Sequence, residues 1–268
     1  MISVITPTYN TAPDILARTW ASLKAQTHQD WEWVIYDDST TTQVQHQVYG
    51  FCSDERYKIR YFRPHTPSGG NIGYVKRMAF GLGLGDILVE LDHDDELTPD
   101  CLWEIEAAFY ANPDAGFVYS DCCELLPNGE SGRYPEGWGL GYGSDYWDDQ
   151  HGVWAMRVPV NRTTLSHIVS APNHVRAWRT STYHALGGHN PNLEVADDYE
   201  LMVRTALATR MHHIPKMLYK QHIAPTTAQR TKNALIQQLV PHIHALHSDA
   251  LDAKWGTLEE TGVSLVVG

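Results

Sequence analysis

The chain has 268 residues, with 20 Lys and Arg against 32 Asp and Glu, a formal charge of −12 when histidine is neutral. That length suits one large domain or two small ones, and 43% apolar residues supply a core, so a disordered chain is excluded. An acidic chain offers no broad basic face to nucleic acid and no polybasic block to an anionic membrane, and it raises a question: an anionic ligand would need a local cation to settle on it.

No apolar run approaches the roughly 20 residues of a membrane span, and Met1 leads straight into the strand-like Ile2-Ser3-Val4-Ile5. The expectation is a soluble, cytoplasmic protein with no integral membrane segment. Cys52, Cys101, Cys122 and Cys123 lack CxxC spacing, so they are expected to be core thiols, not zinc ligands or a disulfide framework.

Residues 2–6 read as a first strand, and residues 14–26 place Leu16, Trp20 and Leu23 at helical spacing. Strands follow at 31–36 and 59–62, a helix at 73–84, and a strand at 86–91 that runs directly into Asp92-His93-Asp94-Asp95. Thr98-Pro99 gives a helix start, with a helical pattern over 101–110 and a further strand at 116–120. This alternation is the signature of βαβ units and a mainly parallel sheet. Residues 127–154, rich in Gly, Trp, Tyr and Asp, are too long for an ordinary connection and read as a functional loop or small extra element. Regular structure returns near 175–179, followed by a helix at 198–209, a strand at 211–219 and a polar helix at 226–250.

Thr8-Tyr9-Asn10, Asp37-Asp38 and Asp92 to Asp95 each follow an inferred strand, at the carboxyl edge where open α/β sheets bind ligands. In extended chain Asp92 and Asp94 point to one side and His93 to the other. Such a pair can hold Mg²⁺ or Mn²⁺, which accept carboxylate oxygens and keep positions for water and phosphate; it can equally cap the following helix.

Three stretches carry a resemblance: Ser3-Val4-Ile5-Thr6-Pro7-Thr8-Tyr9-Asn10, then Val34-Ile35-Tyr36-Asp37-Asp38-Ser39-Thr40, then Gly85 through Asp92-His93-Asp94-Asp95 to Pro99. In order and spacing they resemble the family 2 glycosyltransferases of GT-A fold. The likeness extends more weakly through Gly187-Gly188 and Ala196-Asp197-Asp198-Tyr199 to about residue 227. It implies an α/β, Rossmann-like, mainly parallel sheet flanked by helices, with an acceptor-side extension and a C-terminal helix. The GT-A domain would span 1–225, with a nucleotide-sugar half at 1–120 and an acceptor and catalytic half at 121–225, followed by a helical tail at 226–268.

The resemblance also implies roles. Tyr9, with Pro7 and Thr8, would pack on the nucleotide base, Asp38 would contact it, Asp92 with His93 would lie at the sugar or ribose, and Asp94 would hold the metal. Lys76-Arg77 stands where the family usually has Arg-Asn, a departure that leaves a cation for the diphosphate without the Arg fork at the first position. Asp198, with Asp197 beside it, would be the base that deprotonates the acceptor hydroxyl. His222 would reach the diphosphate or the metal, and the segment from residue 138 to 178, with Trp147, Trp154, Asn173 and Arg176, would receive the acceptor. The implied reaction is inverting transfer of a sugar from a nucleoside diphosphate donor, most simply a UDP-sugar, to a carbohydrate or other hydroxyl, with Mn²⁺ or Mg²⁺ as cofactor. The alternatives are a non-catalytic nucleotide or sugar binder and a metal-dependent nucleotidyltransferase or phosphohydrolase.

Overall fold

A computed structural model of the chain describes residues 1–133, 144–167, 169, 171–224 and 231–257. The first half alternates as expected: β1 (Ile2–Thr8), α1 (Pro13–Lys24), β2 (Trp31–Asp37), α2 (Gln43–Phe51), β3 (Lys58–Phe62), α3 (Ile72–Phe80), β4 (Ile87–Glu90), the short β5 (Glu96–Leu97) and α4 (Cys101–Ala111). The second half adds β6 (Ala115–Leu125), β7 (Ser144–Asp148), β8 (Val153–Arg157), α5 (Arg162–His167), β9 (Arg176–Arg179), α6 (Thr180–Ala185), α7 (Asp197–Ala208), β10 (Arg210–His222) and α8 (Asn233–Trp255).

Among the described residues one sheet runs in the order β3-β2-β1-β4-β9-β6-β10-β5, and the β7–β8 hairpin joins it through β6. The four strands from β3 to β4 are parallel, and so are β6 and β10. Strand β9 enters antiparallel to both β4 and β6, so the sheet is more mixed than the sequence rhythm implies.

Period-2 alternation sends Ile2 and Val4 to one face of β1 and Ile5 to the other, and both faces are covered. On the first face α1, started by Pro13 at its first turn, buries Leu16, Trp20 and Leu23, and Trp20 stacks on Trp33 at 5.3 Å. On the second, α3 and α7 bury Val75, Ala79, Phe80, Leu201 and Met202. Helix α8 packs Ile243 and Leu251 against Leu165, Tyr199 and Val203. No helix among the described residues is long and apolar enough to cross a membrane. Cys101, Cys122 and Cys123 are buried thiols as expected; Cys52 is exposed, because it follows the last residue of α2 and faces solvent.

Candidate active site

The carboxyl ends of β1 and β2 are tied together by Asn10. Its backbone has a positive φ of 48°, a left-handed conformation that Asn tolerates better than most residues. From there its N–H donates to Ser39 Oγ at 2.7 Å, and its Oδ1 accepts from the Thr40 N–H at 3.1 Å. The turn leaves Tyr9 48% exposed, an aromatic face free to stack. Beneath it Asp37 is consumed structurally, accepting from Thr8 Oγ1 at 3.2 Å, the Ser39 N–H at 3.0 Å and Tyr61 Oη at 2.5 Å. Asp38 holds the next loop: Oδ1 accepts from the Ser68 N–H and Oδ2 from Ser68 Oγ, both at 2.7 Å. Asp38 therefore anchors the Ser68-Gly69-Gly70-Asn71 entry to α3 on the same rim as Tyr9.

The turn after β4 carries Asp92, His93 and Asp94. Arg18 from α1 donates to the Asp94 carbonyl at 2.6 Å, and Thr19 Oγ1 donates to the His93 carbonyl at 2.8 Å, so α1 fixes the turn's backbone and leaves its carboxylates for other work. Asp95 ties the turn to β10. It accepts from Tyr219 Oη and from the His222 N–H, both at 2.7 Å, and Tyr219 Oη in turn accepts the Asp92 N–H at 3.2 Å. Burial, reinforced by Asp94 and Asp92, raises the Asp95 carboxyl well above the ordinary carboxylate range. His222 is thereby brought to the turn, where its Nε2 lies 2.7 Å from Glu96 Oε1. Among the described residues no three His, Cys, Asp or Glu side chains converge as a metal-ligating group.

Behind Asp92 lies a buried ionic network. Glu90, fully buried at the end of β4, pairs with Lys76 from α3 and lies 3.6 Å from Arg176 of β9. Lys76 Nζ is also 3.8 Å from Asp92 Oδ1, and His174 Nε2 is 3.7 Å from Asp92 Oδ2. Arg176 Nη1 reaches Asp198 Oδ2 at 3.0 Å, and the Asp198 side chain keeps 30% of its surface open. Arg77, one residue on from Lys76, points away and donates to the Gly187 and His189 carbonyls, so only Lys76 serves the site.

Helices α3 and α7 meet closely because residue 73 is Gly: a Cβ there would lie 2.3 Å from the Asn190 carbonyl oxygen and 3.0 Å from Asp197 Cβ. Ala196, just before α7, holds a positive φ of 58°, a strained conformation for a residue with a side chain. That kink starts the helix with Asp197 and Asp198 facing the network.

The two aspartates meet opposite fates. Burial would push both carboxyls up. At Asp198 the Arg176 guanidinium and then Lys76 reverse this, leaving the carboxyl below its ordinary value. At Asp197 burial wins, with Asp198 and Glu90 adding to it against Lys76, and the carboxyl is pushed up to about 8. Burial likewise lowers His174 to about 4 and His189 to about 3, with Glu90 pulling the other way on both. Lys76 stays charged: burial opposes its ammonium, and Asp92, Glu90, Asp197 and Asp198 raise its pKa well above the ordinary value. Near neutrality the cluster thus holds two fixed cations, ionised Asp198 and Glu90, neutral imidazoles and a protonated Asp197.

The profile of the family described as glycosyl transferase family 2 matches residues 3–162. The chain belongs to glycosyl transferase family 2. Among curated relatives of this family-2 chain, the O-antigen biosynthesis protein RfbC of Myxococcus xanthus is 26% identical over 220 residues, 82% of the chain and 16% of RfbC's own length. Among solved structures, TarS of S. aureus, residues 1–349 in complex with UDP, aligns with a TM-score of 0.65 at 18% identity, covering 100% of this chain and 75% of that one. The mannosyltransferase PcManGT of Pyrobaculum calidifontis, in complex with GDP-Man and Mn²⁺, aligns with a TM-score of 0.61 at 18% identity over 91% of this chain and 64% of that one. These likenesses bear out the glycosyltransferase fold.

In the second half of this family-2 fold, the β7–β8 hairpin leaves Trp147 47% exposed, edge-on to Trp154 at 5.7 Å, and the Arg133 guanidinium sits 3.7 Å over the Trp154 ring. Asn173 is nearly buried, with Oδ1 accepting the His174 N–H at 2.9 Å. Trp138 and the rest of residues 134–143 lie outside the described residues.

Several members of the site escape sequence reading: Glu90, His174, His189 and Tyr219. Glu90 does leave a signal, a lone carboxylate inside the apolar run Ile87-Leu88-Val89-Glu90-Leu91, where a charge is tolerated only if paired. The others are set by contacts between distant segments, as in the stack of His174 on Tyr219 at 4.6 Å.

Proposed function

We propose that the chain transfers a sugar from a nucleoside diphosphate donor, a UDP-sugar in the simplest case, to the hydroxyl of a carbohydrate acceptor, with inversion at the anomeric carbon. The observation that carries this reading is the convergence of the Asp92–Asp94 turn and the open Asp198 carboxylate on one buried network, beside the exposed Tyr9. Fold likeness alone would not license it, since one fold hosts many chemistries. TarS bound to UDP and PcManGT bound to GDP-Man support a nucleotide-sugar donor, and the O-antigen relative supports a carbohydrate acceptor in polysaccharide biosynthesis.

In this reading Tyr9 stacks on the base, Asp38 secures the Ser68 loop at its edge, and Asp92, steadied by Lys76 and His174, lies at the sugar or ribose. Asp198 removes the proton from the acceptor hydroxyl as its oxygen attacks the anomeric carbon. The new C–O bond forms on the face opposite the bond that breaks, so the electron pair leaves on the diphosphate and the configuration inverts. Its low pKa keeps Asp198 ionised and ready, while a protonated Asp197 avoids a second negative charge alongside.

The donor set fits a hard divalent ion: Asp92 and Asp94 offer carboxylate oxygens from one partly exposed turn, and Mg²⁺ or Mn²⁺ takes one or two such carboxylates together with water and phosphate oxygens. His222 would join only by giving up Glu96. When bound, such an ion supplies neutralisation of the charge that develops on the leaving diphosphate. PcManGT, solved with Mn²⁺, supports this choice.

The test is to incubate the protein with UDP-, GDP- and dTDP-sugars and oligosaccharide acceptors, with and without Mn²⁺, and follow products by mass spectrometry. The reading predicts glycosylated acceptor with release of intact nucleoside diphosphate, lost in Asp94→Ala. Cleavage between the phosphorus atoms would point to a phosphohydrolase, and tight nucleotide binding without turnover to a binder.

A further inference from the structure

Strand β9 is only four residues long and runs against both of its neighbours, yet it carries the most deeply buried cation of the site. Its register with β4 pairs Arg176 with Glu90, so the sheet ladder sets the guanidinium beside that carboxylate. The Arg176 side chain is 1% exposed, Nε donates to the Pro172 carbonyl at 3.0 Å, and Nη1 is left to reach Asp198 Oδ2 at 3.0 Å and Glu90 Oε2 at 3.6 Å. The other oxygen of Asp198 accepts the Tyr199 N–H at 2.8 Å. Arg176 thus has no surface to offer an acceptor, the place that sequence reasoning gave it, and every polar contact it makes is internal.

We propose that Arg176 is the positioning residue of the base: anchored by Pro172 and Glu90, it fixes the Asp198 carboxylate with its remaining surface open to the acceptor. The proposal rests on the reading of Asp198 as the base. The other charged and titratable groups facing this pair are Lys76 from α3, Glu90 from β4, Asp92 in the turn after it, His174 before β9, His189 in the loop before α7, and Asp197 on α7 itself. None of these hydrogen-bonds the Asp198 side chain; among the described residues Arg176 alone does so from another element, and a guanidinium can hold one carboxylate while leaning on a second, a geometry Lys does not reproduce.

The test uses the intact chain carrying ¹³C-carboxyl aspartate. The Asp198 resonance, assigned as the one missing in Asp198→Asn, is titrated in the wild type, Arg176→Lys and Arg176→Gln, and turnover is measured on the same nucleotide-sugar panel. The Asp198 midpoint should rise by about one pH unit or more in Arg176→Gln and by less in Arg176→Lys, a tenfold change in proton affinity. Turnover in Arg176→Gln should fall at least about tenfold with the donor KM within about twofold, and Arg176→Lys should recover part of it, the pattern of a group acting on the reacting state and not on donor binding. Folded variants with an unmoved Asp198 midpoint and wild-type turnover overturn the proposal; if Arg176→Gln does not fold, Arg176→Lys decides by the same criteria. Should Asp198→Asn turn over at the wild-type rate, the base assignment and this proposal fall together. A dead Asp198→Asn beside unaltered Arg176 variants removes the positioning role alone.

Discussion

Two adjacent aspartates at the start of one helix do different work because one hydrogen-bonds a guanidinium and the other does not. Asp198 accepts from Arg176; Asp197 Oδ2 has no hydrogen-bond partner among the described residues and lies 3.8 Å from His189 Nε2. Since Tyr183 Oη accepts the His189 backbone N–H at 3.1 Å and lies 2.8 Å from Nδ1, its hydroxyl donates to Nδ1 and the ring proton sits on Nε2, facing Asp197. A carboxyl whose folded pKa is raised to about 8 holds its proton where the unfolded chain has lost it, so stability from this group is full below about pH 4 and declines as pH rises to about 8. Asp197→Asn should remove that slope: its thermal midpoint, compared with the wild type, should gain steadily between pH 5 and pH 8 (about the range between the two pKa values). A difference constant with pH would show that Asp197 is ionised in the fold. Lys76→Met leaves Glu90 and Asp92 short of a cation and should cost roughly 3–5 kcal/mol in urea unfolding. Sequence reading singles out Asp198, Asp92 and Tyr9 because each lies at or just beyond the end of a regular element. It gives Arg176 to the acceptor, whereas the side chain is buried, because a four-residue strand gives no hint of which face is covered.

At the level of elements, the site depends on two close approaches. The first is β9 sliding antiparallel between β4 and β6; the second is α3 docking on the loop before α7 through Gly73, with the Ile72 and Gly73 N–H groups donating to the Glu194 and Leu193 carbonyls at 3.2 and 3.1 Å. Those bonds satisfy helix-start donors that would otherwise need a side-chain cap. Gly73→Ala should force the 190–194 loop back and cost about 1–3 kcal/mol in stability, with turnover falling more than donor affinity because Asp197 Cβ is among the atoms displaced. Calorimetry and turnover on the same sample would check both. The parallel strands β1 to β4 and helices α1, α3, α4 and α7 were legible because each joins an apolar run or a 3.6-residue pattern to a clear start or stop. Helix α2 escaped because it buries only Val44 and Val48 amid glutamines, and the direction of β9 escaped because it is fixed by its neighbours and not by Arg-Ala-Trp-Arg itself.

Across the whole molecule the charge of −12 acquires a local meaning. The cations around the aspartates are already engaged, Lys76 and Arg176 with Glu90, Asp92 and Asp198, and Arg18 with the Asp94 carbonyl and Glu96, so an anionic diphosphate entering beside Asp92 and Asp94 finds little uncommitted positive charge among these side chains. A divalent ion would supply it. Chelation with EDTA should therefore weaken UDP binding at least about tenfold in titration calorimetry, with Mn²⁺ restoring it, the scale expected when a bound cation carries the phosphate interaction; affinity indifferent to metal would assign the diphosphate to other groups. The central claim, that the open carboxylate on α7 is the base of a sugar transfer, is tested most directly by measuring UDP binding and acceptor glycosylation side by side in the wild type and Asp198→Asn. The account predicts UDP affinity within about threefold of wild type and transfer reduced by roughly 10²–10⁴-fold, the usual contribution of a general base. Transfer by Asp198→Asn at the wild-type rate would contradict it.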